Sequence, residues 1–256
     1  MTFDFRYLLV MVSVHRYHEV SESTHRIMNP LSIEKLLLVA GICHIERGTR
    51  MLDLASGKGE MLCQFAAKFG ATGVGIDIYP PAVADARARA EELGIAGAVE
   101  FVEGDVAELR DVGEPFDVVS CIGATWIGNG LAGTLALMKQ RVRSGGWILV
   151  GDVYWAEPPS AALAQGYGQE FADLAGTLGI FEAAGVDLVE MVLASADDWD
   201  RYTASQWLNV SDWLNANPDD PDAAEIRETR DRSRRRYLSE GRRCLGWGVF
   251  VGRAPA

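Results

Sequence analysis

The chain has 256 residues, 48% of them hydrophobic, and a net charge of −12 from 24 basic and 36 acidic side chains. That is enough for one large α/β domain or a domain with a lid, and no apolar run approaches the length of a membrane span. The negative charge disfavours nucleic acid or an acidic membrane as a partner. Four cysteines, Cys43, Cys63, Cys121 and Cys244, lie far apart without C-x-x-C spacing, and are expected to be buried, reduced thiols of a cytoplasmic protein.

The apolar stretch at 7–14 is short, follows Asp4 and Arg6, and has no small-residue cleavage site after it. It is expected to pack on the domain rather than direct export, although a misassigned start would also account for it. His15, His18 and His25 then flank Glu19 and Glu22, and Asn29-Pro30 precedes an apolar helix, Ile33–Ile42. No acid completes a metal set, so His15 and His18 read as surface or packing residues and no metal is expected.

Residues 50–60, R-M-L-D-L-A-S-G-K-G-E, run from an apolar strand into small residues and then into the helical pattern Met61, Leu62, Phe65, Ala66 and Phe69. A glycine loop opening a helix lets backbone N–H groups approach a nucleoside cofactor. A dinucleotide fingerprint is incomplete, because Leu62 stands where the third glycine belongs. The acid precedes the glycines instead, giving D-x-A-x-G-x-G with Ala55 in the first glycine's place. This motif resembles that of class I S-adenosyl-L-methionine methyltransferases. Acids end two further predicted strands, Asp77 after T-G-V-G-I and Asp105 after F-V-E-G, at spacings of 24 and 28.

The likeness extends from residue 19 to 252. E-S-T-H-R-I-M-N-P, R-M-L-D-L-A-S-G-K-G-E-M-L-C, I-G-A-T-W-I, G-D-V-Y-W, W-L-x-x-x-x-W-L-x-A-N-P-D-D and C-x-G-W-G-V-F resemble the YjhP-like group of bacterial methyltransferases. The resemblance implies an α/β fold: a Rossmann-like seven-stranded class I sheet with helices on both faces and its last strand antiparallel. It also implies S-adenosyl-L-methionine as cofactor and S-adenosyl-L-homocysteine as product. Asp77 is then expected on the ribose hydroxyls and Asp105 near the adenine amine. Asp53, Ala55, Ser56, Gly57, Gly59, Ile78, Gly104, Val106, Cys121 and Ile122 complete the expected cofactor site. The segment holding His25 would arch over the methionine end, where the histidine could be a general base or a structural hydrogen-bond donor. The resemblance supplies no acceptor.

Downstream, the expected elements are a helix over Val83–Leu93, a strand over Phe116–Cys121, a helix over Leu131–Arg141, a turn at 144–146 and a strand over Trp147–Val150. A mostly helical Phe171–Ala184 and strands over Val186–Leu193 and Gly248–Val251 follow. Thr125 and Trp126 after one strand, and Asp152, Tyr154 and Trp155 after another, are expected at the reacting centre, with Asp152 a second candidate base. About fifty residues precede the last strand, far more than a hairpin needs. They carry Trp199, Tyr202, Trp207, Trp213 and Tyr237, and the two nearest the strand, Trp199 and Tyr202, are expected to touch substrate. The expected organisation is an N-terminal helical segment (1–48), a core (49–194 and 246–256) and a helical substrate cap (195–245). The arginines from Arg227 to Arg243 alternate with acids at helical spacing and read as a solvated face. The expected activity is methyl transfer to the O, N or S of a small molecule by a monomer or homodimer. An RNA methyltransferase and a non-catalytic S-adenosylmethionine-binding protein are the alternatives.

Overall fold

A computed structural model describes residues 16–106, 113–166 and 171–255; the stretch at 1–14 and His15 lie outside the described residues. Short apolar runs alternate with amphipathic helices, and the chain folds as alternating β and α elements around one sheet. β1 (Arg50–Leu54), β2 (Thr72–Asp77), β3 (Val99–Glu103), β4 (Phe116–Ile122), β5 (Val142–Trp155), β6 (Asp187–Leu193) and β7 (Leu245–Arg253) lie in the order β3-β2-β1-β4-β5-β7-β6. β1 to β5 pair in parallel, and β7 is antiparallel to both of its neighbours. The strand order reverses at β1, which opens a crevice beyond the carboxyl ends of β1 and β4.

β7 is covered on both faces, so L-G-W-G-V-F-V is apolar throughout rather than alternating. Its Gly246 faces Tyr154, and a Cβ there would lie 2.1 Å from the phenol ring. On one side of the sheet α1 (Ile33–Ile42), α2 (Glu60–Phe69) and α3 (Pro80–Glu92) bury Val39, Phe65 and Ala86 against Met51, Val118 and Val251. On the other lie α4 (Leu131–Lys139) and α6 (Leu174–Ala183), with the short α5 (Ala161–Gln165) between them in sequence. Leu135, Met138 and Phe181 of that layer pack against Leu52, Ile148 and Phe250. Each side chain buried to this extent contributes ~1.5–3 kcal/mol.

α7 (Ala196–Ala216) and α8 (Ala223–Arg236) stand between β6 and β7. Ser195 and Asp198 form a reciprocal capping box that starts α7. Val210, Leu214, Ala223 and Ile226 enclose Val20 from the helical turn at 16–21, a small core separate from the sheet. Among the described residues no helix is long and apolar enough to cross a membrane.

Element types agree with the sequence expectations, and several boundaries differ. α3 begins at Pro80 rather than Val83, because prolines are accommodated in a first helical turn. The turn expected at 144–146 is absorbed into β5, where a register shift between Phe116 and Val118 accommodates the glycines. β7 starts at Leu245, since Leu245 to Trp247 pair with Trp155 to Val153. The helix expected from Phe171 starts at Leu174, once the Asp173 side chain caps it on Gly176 N.

Candidate active site at the strand switch

β1 delivers Asp53 to the crevice, and the loop that follows turns sharply. Ala55, Gly57 and Gly59 all have positive φ, at 57°, 54° and 69°, the region that favours glycine. A side chain at Gly57 would lie 2.3 Å from the Met28 methyl, and one at Gly59 2.5 Å from the Phe101 ring. The loop is therefore pressed between the N-terminal segment and the sheet. Asp77, at the end of β2, accepts from Gly57 N (2.7 Å) and Tyr79 N (2.9 Å), which fixes the loop and the carboxylate together. Glu60 begins α2 and takes both Nε and an Nη of Arg89 at 2.9 Å, an anion placed at a positive helix end.

Asp53 is 3% exposed and accepts from Ser120 Oγ at 2.7 Å. Burial raises its pKa to about 7; the Ser120 bond opposes that, and the neighbouring charge of Asp77 adds to it.

A roof made of residues 16–32 closes over the loop and is tied to α7. Glu22, 2% exposed, accepts from Tyr202 Oη (2.8 Å) and Gln206 Nε2 (2.5 Å) on Oε1, while Oε2 is 2.9 Å from His25 Nδ1. His25 Nε2 meets Ser205 Oγ at 2.6 Å. Asn209 Nδ2 donates to Ser21 O, and Thr24 Oγ1 to Asn209 Oδ1. From below, Lys58 Nζ donates to Glu22 O at 2.9 Å. Burial alone would raise the Glu22 pKa, but the His25 contact and the Tyr202 and Gln206 bonds outweigh it and hold the carboxyl below its ordinary value.

Roof, loop and strand ends enclose a cavity of about 780 Å³, within the ~300–1,000 Å³ usual for small-molecule sites. Of the expected cofactor residues, Asp53, Ala55, Ser56, Gly57, Asp77, Ile78 and Ile122 line it. Gly59 lies behind the loop against Phe101, and Gly104, Asp105 and Val106 are not among its walls. Cys121 is fully buried in the layer under α4.

Of the expected substrate residues, Trp126, 63% exposed, and Tyr202 line the cavity. The others are not among its walls. Asp152 and Tyr154 share one face of β5 by strand alternation, and Tyr154 packs edge-on against Phe250. Asp152 accepts from Val153 N and Thr125, and burial raises its pKa to about 6. Thr125 is buried, with its carbonyl accepting from Thr134 Oγ1. Trp155 packs against Phe171, and Trp199 against Tyr202 and Tyr237. His25 faces a second cavity of about 520 Å³ that shares Ile27, Asn29 and Tyr202 with the first. Its Nε2 meets Ser205 on α7 and its Nδ1 lies beside Glu22 within the roof, the placement of a structural histidine, the second of the two roles read from the sequence. The sequence reading did not single out Glu22, Met28, Asn29, Lys58, Met61, Tyr79 and Gly123 as site residues, yet all line the first cavity.

Ser56 and Asn29 line this cavity, and their side-chain oxygens are buried without a hydrogen-bond partner in the protein. The cavity thus brings the Asp53 strand end, the positive-φ loop and the Asp77 strand end together, an arrangement that fits an adenosyl cofactor over a glycine loop. Among the described residues no group of three or more His, Cys, Asp or Glu could hold a metal ion.

A family model described as a methyltransferase domain matches residues 45–209. The protein YjhP of Escherichia coli K12 is 44% identical over 245 residues, covering 94% of this chain and 98% of its own. Two crystal structures described as S-adenosylmethionine-dependent methyltransferases in complex with S-adenosyl-L-homocysteine are also similar. The one from Geobacter sulfurreducens is 45% identical with a TM-score of 0.88, covering 94% of this chain and 98% of its own. That from Thiobacillus denitrificans is 43% identical with a TM-score of 0.87, covering 92% and 97%. The chain belongs to the methyltransferase-domain family, and with this fold, loop and cavity it is an S-adenosyl-L-methionine-dependent methyltransferase.

Proposed function

We propose that the protein methylates a small molecule inside the roofed cavity by in-line displacement. The observation that carries this reading is the roof: residues 16–32, tied to α7 through Glu22, enclose the space beyond Asp53 and Gly57 instead of leaving an open groove. An RNA acceptor would call for a basic open face, and the chain carries a net charge of −12. The bound cofactor supplies a methyl group on a sulfonium ready to leave. The protein's task is then to hold a nucleophile in line, and proximity of that kind can recover ~7–11 kcal/mol of a barrier.

In this reading Asp77 holds the ribose and the 55–59 loop holds the methionine portion. Asp53 faces the positive charge, and Trp126 and Tyr202 exclude water from the reacting centre. Residues 195–245 act with the N-terminal segment as the substrate cap. His25 serves as a strut between roof and cap, and Asp152 as a buried support for Thr125. The site belongs to a cytoplasmic protein with reduced thiols. Incubating the protein with a metabolite extract and S-adenosylmethionine carrying an isotopic methyl tests the reading. A small labelled product that depends on Asp77 supports it, whereas label found only in RNA or protein would sink it.

A further inference from the structure

Asp53 and Ser120 face each other across the β1–β4 pair, and strand alternation puts both side chains on the face that carries Met51 and Val118. Ser120 is fully buried within the otherwise apolar run V-V-S-C-I, where a hydroxyl is costly unless it is hydrogen-bonded. A serine hydroxyl has one proton to give. Two acceptors lie in reach, Asp53 Oδ1 at 2.7 Å and Leu52 O at 3.3 Å, and the shorter contact is to the carboxyl group. With Oδ1 taken, Oδ2 is the oxygen that Asp53 can offer to a ligand in the cavity it lines. Ser120 is not among the walls of that cavity, so any effect it has on binding must pass through Asp53.

The surroundings otherwise work against a carboxylate at this point. Burial withdraws water from it, and Asp77 on β2 adds a like charge; the Ser120 hydrogen bond opposes both. The thiols of Cys63 on α2 and Cys121 on β4 stay neutral, because burial pushes both up, Cys63 to about 12. Of the charged groups along the cavity wall, Glu60 is held by Arg89, Lys58 by the Glu22 carbonyl, and Glu22 by Tyr202 and Gln206. Resting on the reading above that Asp53 faces the positive charge of the cofactor, we propose that Ser120 is a positioning residue for cofactor binding, anchoring the Asp53 carboxylate by one oxygen and keeping it charged toward the cavity. A donated hydrogen bond stabilises a carboxylate more than the corresponding acid, so its loss changes the proton balance of Asp53 rather than the shape of the cavity.

The test is calorimetry of S-adenosylmethionine binding to wild type and Ser120→Ala between pH 6 and pH 9. It is read as the ratio of the two dissociation constants, in which the ligand's own titration cancels. Without the hydroxyl, Asp53 holds its proton to a higher pH. The variant should therefore bind about tenfold more weakly at pH 6.5, the size of a hydrogen bond to a charged group, and approach the wild-type value at pH 9. Made in Asp53→Asn, the same substitution should change affinity by less than about twofold at either pH. A ratio that is the same at both pH values, or a loss undiminished in the Asp53→Asn background, is what a merely structural serine would give and would overturn the proposal. Should Ser120→Ala not fold, Ser120→Cys, close in size and a weak donor, is read by the same criteria. A wild-type affinity indifferent to pH between 6 and 8 would instead sink the Asp53 reading beneath, and the proposal with it.

Discussion

Ala55 sits where β1 breaks into the loop, with a φ of 57° that disfavours any side chain. The alanine that stands in the usual glycine's place is therefore a local strain as well as an added methyl. Ala55→Gly should relieve ~1–2 kcal/mol of that strain and give back ~0.4–1 kcal/mol through the freer unfolded chain. The net gain, between about 0 and 1.6 kcal/mol, is read by urea denaturation. Asp77 offers a larger effect on binding. Asp77→Ala removes charge-assisted bonds expected to the ribose and frees Gly57 N, so S-adenosylmethionine affinity should fall by ~1.5–3 kcal/mol, one to two decades by calorimetry. Asp53 makes binding sensitive to pH. Its pKa is about 7 without ligand, and a cation beside it favours the carboxylate and lowers that value. Below pH 7 the ligand must then displace a proton, so affinity should rise as pH increases toward 7 and level off above it. Calorimetry in buffers of different ionisation enthalpy should show proton release at pH 6 that is absent in Asp53→Asn.

At the scale of elements, the roof and α7 form one unit held by side chains about 180 residues apart in sequence. Removing His25 withdraws a contact from both Ser205 and Glu22, at ~1–3 kcal/mol for the buried partners left behind. His25→Ala should therefore lower the melting temperature and weaken S-adenosylmethionine binding and turnover together. A fall in turnover with affinity intact would point to the base instead. The same long separation explains what the sequence disclosed. The strands, the glycine loop and the acids Asp53 and Asp77 are local patterns, set by apolar runs and turn residues, and were legible. Glu22 was not, because its meaning depends on Tyr202 and Gln206, whose neighbours in sequence say nothing of a roof. The apolar run before them is what puts Asp152 and Tyr154 at the rim in a reading of the sequence. β5 continues to Trp155 instead of ending at Val150, and strand alternation then sends both into the layer beneath.

Across the whole molecule, charge argues for a small acceptor over a polynucleotide. The arginine-rich α8 and the turns after it could have supplied a basic face within an acidic chain. Instead Arg230 and Arg234 pair with Asp231, Arg232 with Glu228, Arg242 with Asp200 and Arg243 with Glu157, while Arg236 donates to Gly166 O. Exposed pairs of this kind add little stability, usually less than about 1 kcal/mol each, yet they weaken the field that a phosphate backbone would need. A protein that neutralises several phosphates loses about three to five decades of affinity between 50 and 200 mM salt. For this chain RNA binding should be too weak to measure at either salt concentration, in filter binding or fluorescence anisotropy with a mixed-sequence oligonucleotide. A steep salt-dependent isotherm would show that the pairs on α8 open for a larger substrate and that the roofed cavity admits a flipped nucleotide.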